Sequence, residues 1–460
     1  MMPSKWIKVF VLAMLSLMGG VFANEPIPPK PFQDGDRWCV LGDSITRSGQ
    51  YHQYVELFYL TRFPSQKLNV INCGISGDTA PGALRRLQWD CLEKKPNVVS
   101  VMLGMNDVMP GLYAPGVDEK RREQAAITYD AAMRQLTQSF LKSGVTVILM
   151  TPSIFDDTAN LPAKNYSGCG AALAGFANRV RAMAEEFKVS LVDFNTPMTA
   201  INAERQKINP RFTVVGGDRI HPTSPGHLVM AYEFLRAQGL NGVVSRIAIN
   251  ASSQKVGVLE NCALNDLQIN DGEIVFSCLE NALPFPVEAS ARSALELVPF
   301  SRELNQQILS VQGLDKGDYA LSIDGKEIRT FTAAKFAEGI NLAEEAHTPQ
   351  AQQSQAVLAA LQKKWAVVAK LRNLAVCEHT SWPDAPRPID MDQISAKLDL
   401  RLERAKNSPA VKEAHRQYLE CKPREGELLR EVEDAVQTAR KVALPKPHIF
   451  TLRRIIDVKP

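Results

Sequence analysis

Arg37-Trp38-Cys39-Val40-Leu41-Gly42-Asp43-Ser44-Ile45-Thr46 runs from an apolar stretch into a glycine and then into two residue types that cap helices. A short apolar run bounded by Gly reads as a buried strand, and Asp or Ser directly after it reads as a helix start. The same pattern recurs downstream. Strand-like runs at Leu68–Cys73, Val98–Leu103, Val145–Met150 and Val189–Val192 alternate with helical patterns near Tyr51–Arg62, Pro81–Lys94, Glu119–Lys142 and Ala171–Phe187. A last helix is expected after Pro225. Apolar strands separated by helices predict a parallel sheet covered on both faces, and so a three-layer α/β/α domain over residues 37–243.

The pattern changes beyond that domain. Short alternating segments (SRIAIN, EIVFSCL, ALELVPF, YALSIDGKEI) broken by Asn-Asp-Gly, Asp-Lys-Gly and Asp-Gly predict a small antiparallel β domain over 244–345. Residues 346–460 read as a helical tail: Val357, Leu358, Leu361, Trp365, Val368 and Leu371 recur at helical spacing, and SWPDAPRPID breaks the tail in two.

At the other end, Lys5 and Lys8 precede an apolar run from Val9 to Leu17, and Val21-Phe22-Ala23 places small residues where a signal peptidase cuts. Residues 1–23 are therefore expected to be a secretory signal peptide, followed by a Pro-rich lead-in over 24–36, and the mature protein is expected to be secreted or periplasmic. The apolar run is shorter than a membrane-spanning helix needs, so no stable membrane insertion is expected after cleavage. Formal net charge is +3, two of those charges being Lys5 and Lys8. A nearly neutral chain offers no electrostatic reason for a nucleic-acid partner. Eight cysteines with no CxxC pair argue against structural zinc. In an oxidising compartment Cys262–Cys278 and Cys377–Cys421 are the candidate bridges, while Cys39 and Cys73 read as buried free thiols.

Four short blocks in the α/β domain carry chemistry. Gly42-Asp43-Ser44 would expose a hydroxyl and an outward N–H at a helix start. Ser76-Gly77-Asp78-Thr79 could bring a backbone N–H close to an oxyanion, since Gly77 has no Cβ to block the approach. Gly104-Met105-Asn106-Asp107 offers a neutral amide donor. In Asp218-Arg219-Ile220-His221, an Asp three residues before a His can bond its Nδ1 and leave Nε2 as a base. Each block alone reads as an ordinary cap or turn; the four together on one sheet edge, where open α/β folds bind ligands, do not.

In order and spacing the four blocks resemble the SGNH/GDSL hydrolase superfamily over roughly residues 37–240. The resemblance implies a serine esterase in which Ser44 is the nucleophile, His221 the base and Asp218 its partner. Ser44, Gly77 and Asn106 would form the oxyanion hole, with Gly74 the alternative to Gly77. It implies no cofactor and no metal. Polar loops at Arg47–Gln53, Pro110–Gly116 and Ile154–Gly168, with Tyr51, His52, Tyr113 and Tyr166, favour a sugar-borne short-chain ester, acetyl first. Lipolytic or other short-chain esters are the alternative, and so is a degenerate scaffold that binds glycan. Acyl transfer, oligomeric state and the role of residues 244–460 stay open.

Overall fold

The computed structural model describes residues 26–406 and 408–455. Five strands, β1 (Arg37–Gly42), β2 (Asn69–Gly74), β3 (Val98–Met102), β4 (Thr146–Met150) and β5 (Ser190–Val192), form one sheet in the order β2-β1-β3-β4-β5. All four pairings are parallel. Seven helices cover it: α1 (Ser44–Ser48), α2 (Gln50–Arg62), α3 (Ala80–Asp90), α4 (Glu119–Lys142), α5 (Cys169–Phe187), α6 (Asn195–Gln206) and α7 (Ser224–Ala237). Alternation along each strand creates the layers. Trp38 and Val40 join a core with residues of α2 and α7, while Cys39 and Leu41 join a second core with residues of α3, α4 and α5. The expected three-layer architecture is the one observed.

α1 starts at Ser44, where a helix start is expected, and is a single turn. One helix falls outside the sequence expectation: α6 carries a polar sequence, NTPMTAINAERQ, that buries only Asn195, Met198 and Asn202, so its periodicity is faint.

After α7 come β6 (Val243–Asn250), β7 (Lys255–Glu260), β8 (Cys262–Asn270) and β9 (Glu273–Glu280), then α8 (Phe300–Leu304), β10 (Gln306–Gln312), β11 (Asp318–Ile323), β12 (Lys326–Thr332), α9 (Ala333–Glu338) and β13 (Ile340–Asn341). They build two sheets, β13-β10-β6-β7 and β12-β11-β14-β9-β8, where β14 is the C-terminal strand Pro447–Arg454. The β6–β10 pairing is parallel; the others are antiparallel. The segment ALELVPF is not a strand: it spans the end of a 3-10 helix, Ala289–Glu296, and the start of α8. Its Ala294 packs in the core of the α/β domain rather than on a sheet.

The C-terminal part supplies α10 (Pro349–Ser381), α11 (Met391–Arg404), α12 (Pro409–Cys421) and α13 (Glu425–Ala443). It is not helical to its end, because β14 returns between β9 and β11. Val357, Leu358 and Leu361 of α10, with Ala439 and Ala443 of α13, lie in the same core as Trp38 and Val40. A buried ion pair, Lys364 with Glu56, crosses this seam, and Trp365 Nε1 donates to the same carboxylate at 2.9 Å. The tail and the parallel sheet therefore share one core.

Neither expected disulfide forms, as all eight cysteines are free. Cys262 pairs across the hairpin with Glu280 and Cys278 with Leu264, so the two thiols are diagonal neighbours on one face, in contact but not bonded. Cys377 turns toward the Ala414 carbonyl, at 3.7 Å, instead of Cys421. The expected leader at 1–23 lies outside the described residues. No helix among the described residues is long and apolar enough to cross a membrane.

Candidate active site

The strand order decides which loops meet. β1 lies between β2 and β3, so the turns after these three neighbours open side by side at one sheet edge. Ser44 follows β1 as the first residue of α1, where its N–H has no intrahelical acceptor. Asp43 caps the helix through the Ile45 N–H at 3.0 Å. This close approach of helix to strand requires glycines: a Cβ on Gly42 would sit 2.2 Å from Thr46 Oγ1, and one on Gly74 would sit 2.2 Å from the Arg47 nitrogen.

Gly77, after β2, has φ +76°, a region that favours glycine. Asn106, after β3, donates from Nδ2 to the Asp78 carbonyl at 2.9 Å, which aims the amide along the same edge. Gly74 is the less suitable donor: it is buried at the end of β2, and its N–H already bonds Asn72 Oδ1 at 2.8 Å.

The loop before α7 brings in the remaining pair. Ser44 Oγ and His221 Nε2 are 2.7 Å apart, and His221 Nδ1 is 2.6 Å from Asp218 Oδ2. Asp218 Oδ1 accepts the N–H groups of Ile220 and His221, each at 3.0 Å. Partial burial would raise the Asp218 carboxyl, but these bonds and the imidazole outweigh it and hold the group below the usual carboxylate range. His227 lies in α7, buried, with burial pushing it down to about 3; it stacks on Tyr51 and stands apart from this chain of bonds.

Several contributors were not visible in the sequence. Arg219 is buried with φ +72°, and its guanidinium donates to the carbonyls of Asp156, Ala159, Leu161 and Ala163. It thereby ties the Asp218–His221 loop to the loop after β4. Arg86, fully buried, bonds Asp78 Oδ2 at 2.7 Å, Asp90 Oδ2 at 2.5 Å and the Gly42 carbonyl at 3.1 Å. An Arg in the middle of a helix gives no local hint of such a role.

Two expected sugar contacts are overturned. Tyr51 and His52 are buried in α2, where Tyr51 OH bonds Thr46 Oγ1 at 3.0 Å and burial pushes His52 down to about 4. Tyr113 and Tyr166 are half-buried. Beside the Asn106 turn a cavity of about 280 Å³ opens, walled by Pro81, Met109 and Leu112 with Arg121, Gln124 and Thr128. Met109 takes φ +50° and stays 49% exposed, so an apolar side chain is held out at the edge of the site. A larger cavity of about 480 Å³ lies between α3, α10 and α13 and is lined by none of Ser44, Asp218 and His221.

Among the described residues one group could hold a metal: the sulfurs of Cys39, Cys73 and Cys91, buried within 4.8 Å of one another. Three thiols fall short of the four ligands of structural zinc.

Residues 40–229 match the model of the GDSL-like lipase/acylhydrolase family. A solved structure, of a gut microbial diltiazem-metabolizing enzyme, is similar over 93% of this chain and 99% of that chain, at 31% identity and a TM-score of 0.87. The chain belongs to this family. An acetylxylan esterase of Geobacillus stearothermophilus is 29% identical over 227 residues, 46% of this chain and 98% of that enzyme. This GDSL-family protein is accordingly a carboxylic ester hydrolase. The likeness to the diltiazem-metabolizing enzyme reaches well past residue 229, into the β sheets and the long helices.

Proposed function

We propose that this esterase removes short acyl groups, acetyl first, from oxygen esters carried on saccharides, through an acyl-enzyme on Ser44. One observation carries the reading: the continuous bond chain Ser44–His221–Asp218, ending beside the Gly77 turn and the Asn106 amide. In this reading His221 Nε2 takes the Ser44 proton as Oγ attacks the ester carbonyl, and Asp218 supports the imidazolium that forms. The N–H groups of Ser44 and Gly77 and the second Nδ2 hydrogen of Asn106 receive the oxyanion. His221 then protonates the departing alcohol, and water activated by the same imidazole cleaves the acyl-enzyme. No metal or organic cofactor enters these steps.

The acetyl and saccharide assignments are supported by the similarity to an acetylxylan esterase. We infer export from the N-terminal pattern at residues 1–23. N-terminal sequencing of protein recovered outside the cytoplasm should begin at Asn24; intact Met1 on cytosolic protein would overturn export.

The test is a substrate panel: p-nitrophenyl acetate, butyrate and octanoate, acetylated xylo-oligosaccharides, and diltiazem, each with Ser44→Ala as the blank. Rates that fall with acyl length, and acetate release from the oligosaccharides, are expected. Octanoate outrunning acetate would replace the reading with a lipolytic one. Inertness toward every ester would leave a glycan-binding scaffold.

A further inference from the structure

We infer that Arg372, in helix α10 of the C-terminal part, is a positioning residue for ester hydrolysis, holding from behind the turn that carries the oxyanion donors. The inference rests on the reading of Ser44, Gly77 and Asn106 given above. Arg372 is 4% exposed along its side chain and lies nearly three hundred positions from the residues it holds. Its Nε and Nη2 both donate to the Gly74 carbonyl, at 3.3 and 3.1 Å. Its Nη1 and Nη2 grip the two oxygens of Asp90, at 2.6 and 2.9 Å. A planar guanidinium spans a carbonyl and a carboxylate at once; an ammonium cannot reproduce that fork.

The grip is relayed to the reacting groups. Gly74 ends β2, three residues before Gly77, and its Cα packs against the Arg47 backbone of α1, the helix that Ser44 starts. Asp90 also binds Arg86, which holds Asp78 Oδ2 and the Gly42 carbonyl two residues before Ser44. The Asp78 carbonyl in turn orients Asn106 Nδ2. A second residue of α10, His379, places Nε2 3.5 Å from Asp78 Oδ1. One buried network thus joins the long C-terminal helix to all three oxyanion donors. Donors that preorganise a site act only when held to a fraction of an ångström, so removing one anchor of the Gly74–Asp78 turn should slow the chemical step.

Arg372 can be changed without orphaning a buried charge. Asp90 would keep Arg86 and also Lys94, whose Nζ is 3.1 Å away. Arg372→Lys and Arg372→Met are therefore expected to fold. The measurement is kcat and KM for p-nitrophenyl acetate, normalised to the sites that a p-nitrophenyl phosphonate titrates at the nucleophile. The normalisation discards any unfolded fraction, so a residue that matters only for stability would leave the normalised kcat untouched. We expect kcat per titrated site to fall about tenfold or more in both variants, with KM changed by less than about twofold. Combined with Asn106→Ala, Arg372→Met should lose less than the product of the single losses, since both act on one oxyanion hole.

A normalised kcat equal to wild type in both variants, or full multiplicativity with Asn106→Ala, would overturn the inference. Turnover surviving in Ser44→Ala would instead overturn the reading of the site on which it rests.

Discussion

The side chains of His221 and Asp218 keep 47% and 52% of their surface exposed, whereas those of Arg372 and Asp90 keep 4% and 1%. Both pairs are charge-assisted contacts near 2.6 Å, yet their surroundings demand different things of them. At the open edge, water screens the charges, so the His–Asp contact stabilises the fold by little and is free to serve proton transfer. At the α10 seam the charges are desolvated, and a buried group left with no charged partner exposes the full cost of its burial. The polar groups at the edge should therefore govern rate with little effect on stability. Those at the seam should govern stability, with Arg372 the exception because its bonds continue into the Gly74 turn.

The largest expected effect would fix the first half of that contrast. Ser44→Ala should cut kcat for p-nitrophenyl acetate by about 10⁴-fold or more, while the urea midpoint stays within error of wild type. A half-buried serine hydroxyl bonded to an exposed imidazole contributes little to folding. A variant that loses activity together with its unfolding midpoint would erase the contrast at its strongest point.

The second half is tested at Glu56 and Lys364. Lys364→Met strands a buried carboxylate that, among the described residues, retains only the Trp365 indole, and should cost about 3–5 kcal/mol in urea unfolding. Glu56→Gln in the same chain should recover most of that loss, because the stranded charge is then gone. Activity per titrated site should stay near wild type in both chains. A drop in normalised kcat would mean that the whole seam, and not Arg372 alone, is wired to the site.

Between these in kind lies Asn106, where edge and interior meet. Asn106→Ala should lower kcat by about 10²–10³-fold with a small change in KM, as for other single oxyanion donors. A change confined to KM would show that Asn106 binds the ground state and would remove it from the oxyanion hole.

The contrast also explains what was legible in the sequence. The five strands and the four blocks of the candidate site were readable because each is a contiguous run: apolar residues set a strand's depth, and the residues after it face the edge. Ser44 and His221, 177 positions apart, could be paired only because their own neighbours marked both as loop-borne chemistry. Arg86, Arg219 and Arg372 carry no such mark. Arg219 and Arg372 take their partners from distant elements, Arg86 reaches the Gly42 carbonyl from its own helix, and an exposed arginine writes the same letter. The strand β14 escaped for a related reason. PHIFTLRR alternates well, with His448, Phe450 and Leu452 buried, but it follows a long helical tract and finds its partners 127 to 180 residues upstream. Tyr51 and His52 misled in the opposite sense, since polar aromatics beside a nucleophile resemble a binding loop while helix α2 turns both into the core.

The smallest expected effect lies just beneath the edge, where burial begins. Asp107 is 4% exposed; its Oδ1 accepts the Ala80 N–H at 2.8 Å, and its Oδ2 has no partner among the described residues. Burial, against that one bond and beside Asp43 and Asp78, pushes its carboxyl up to about 7. The folded protein thus binds this proton more tightly than the unfolded chain, where the group titrates near 4. Its contribution to stability is complete below about pH 4 and is lost as pH rises toward about 7, at no more than roughly 1.4 kcal/mol per pH unit. Asp78 and Asp90 are held below their ordinary range, so their contributions are lost on acidification and do not enter this window. Asp107→Asn keeps the acceptor for Ala80 and cannot ionise. Between pH 5 and pH 7 the urea midpoint of the variant should rise relative to that of wild type, on a background slope common to both proteins that Asp43, also raised to about 7, tilts downward and buried His52 and His227, pushed down to about 4 and about 3, tilt upward. Parallel slopes in the two proteins would mean that Asp107 is solvated as freely as Asp218, and the boundary between the wet edge and the dry interior would then have to be drawn behind it.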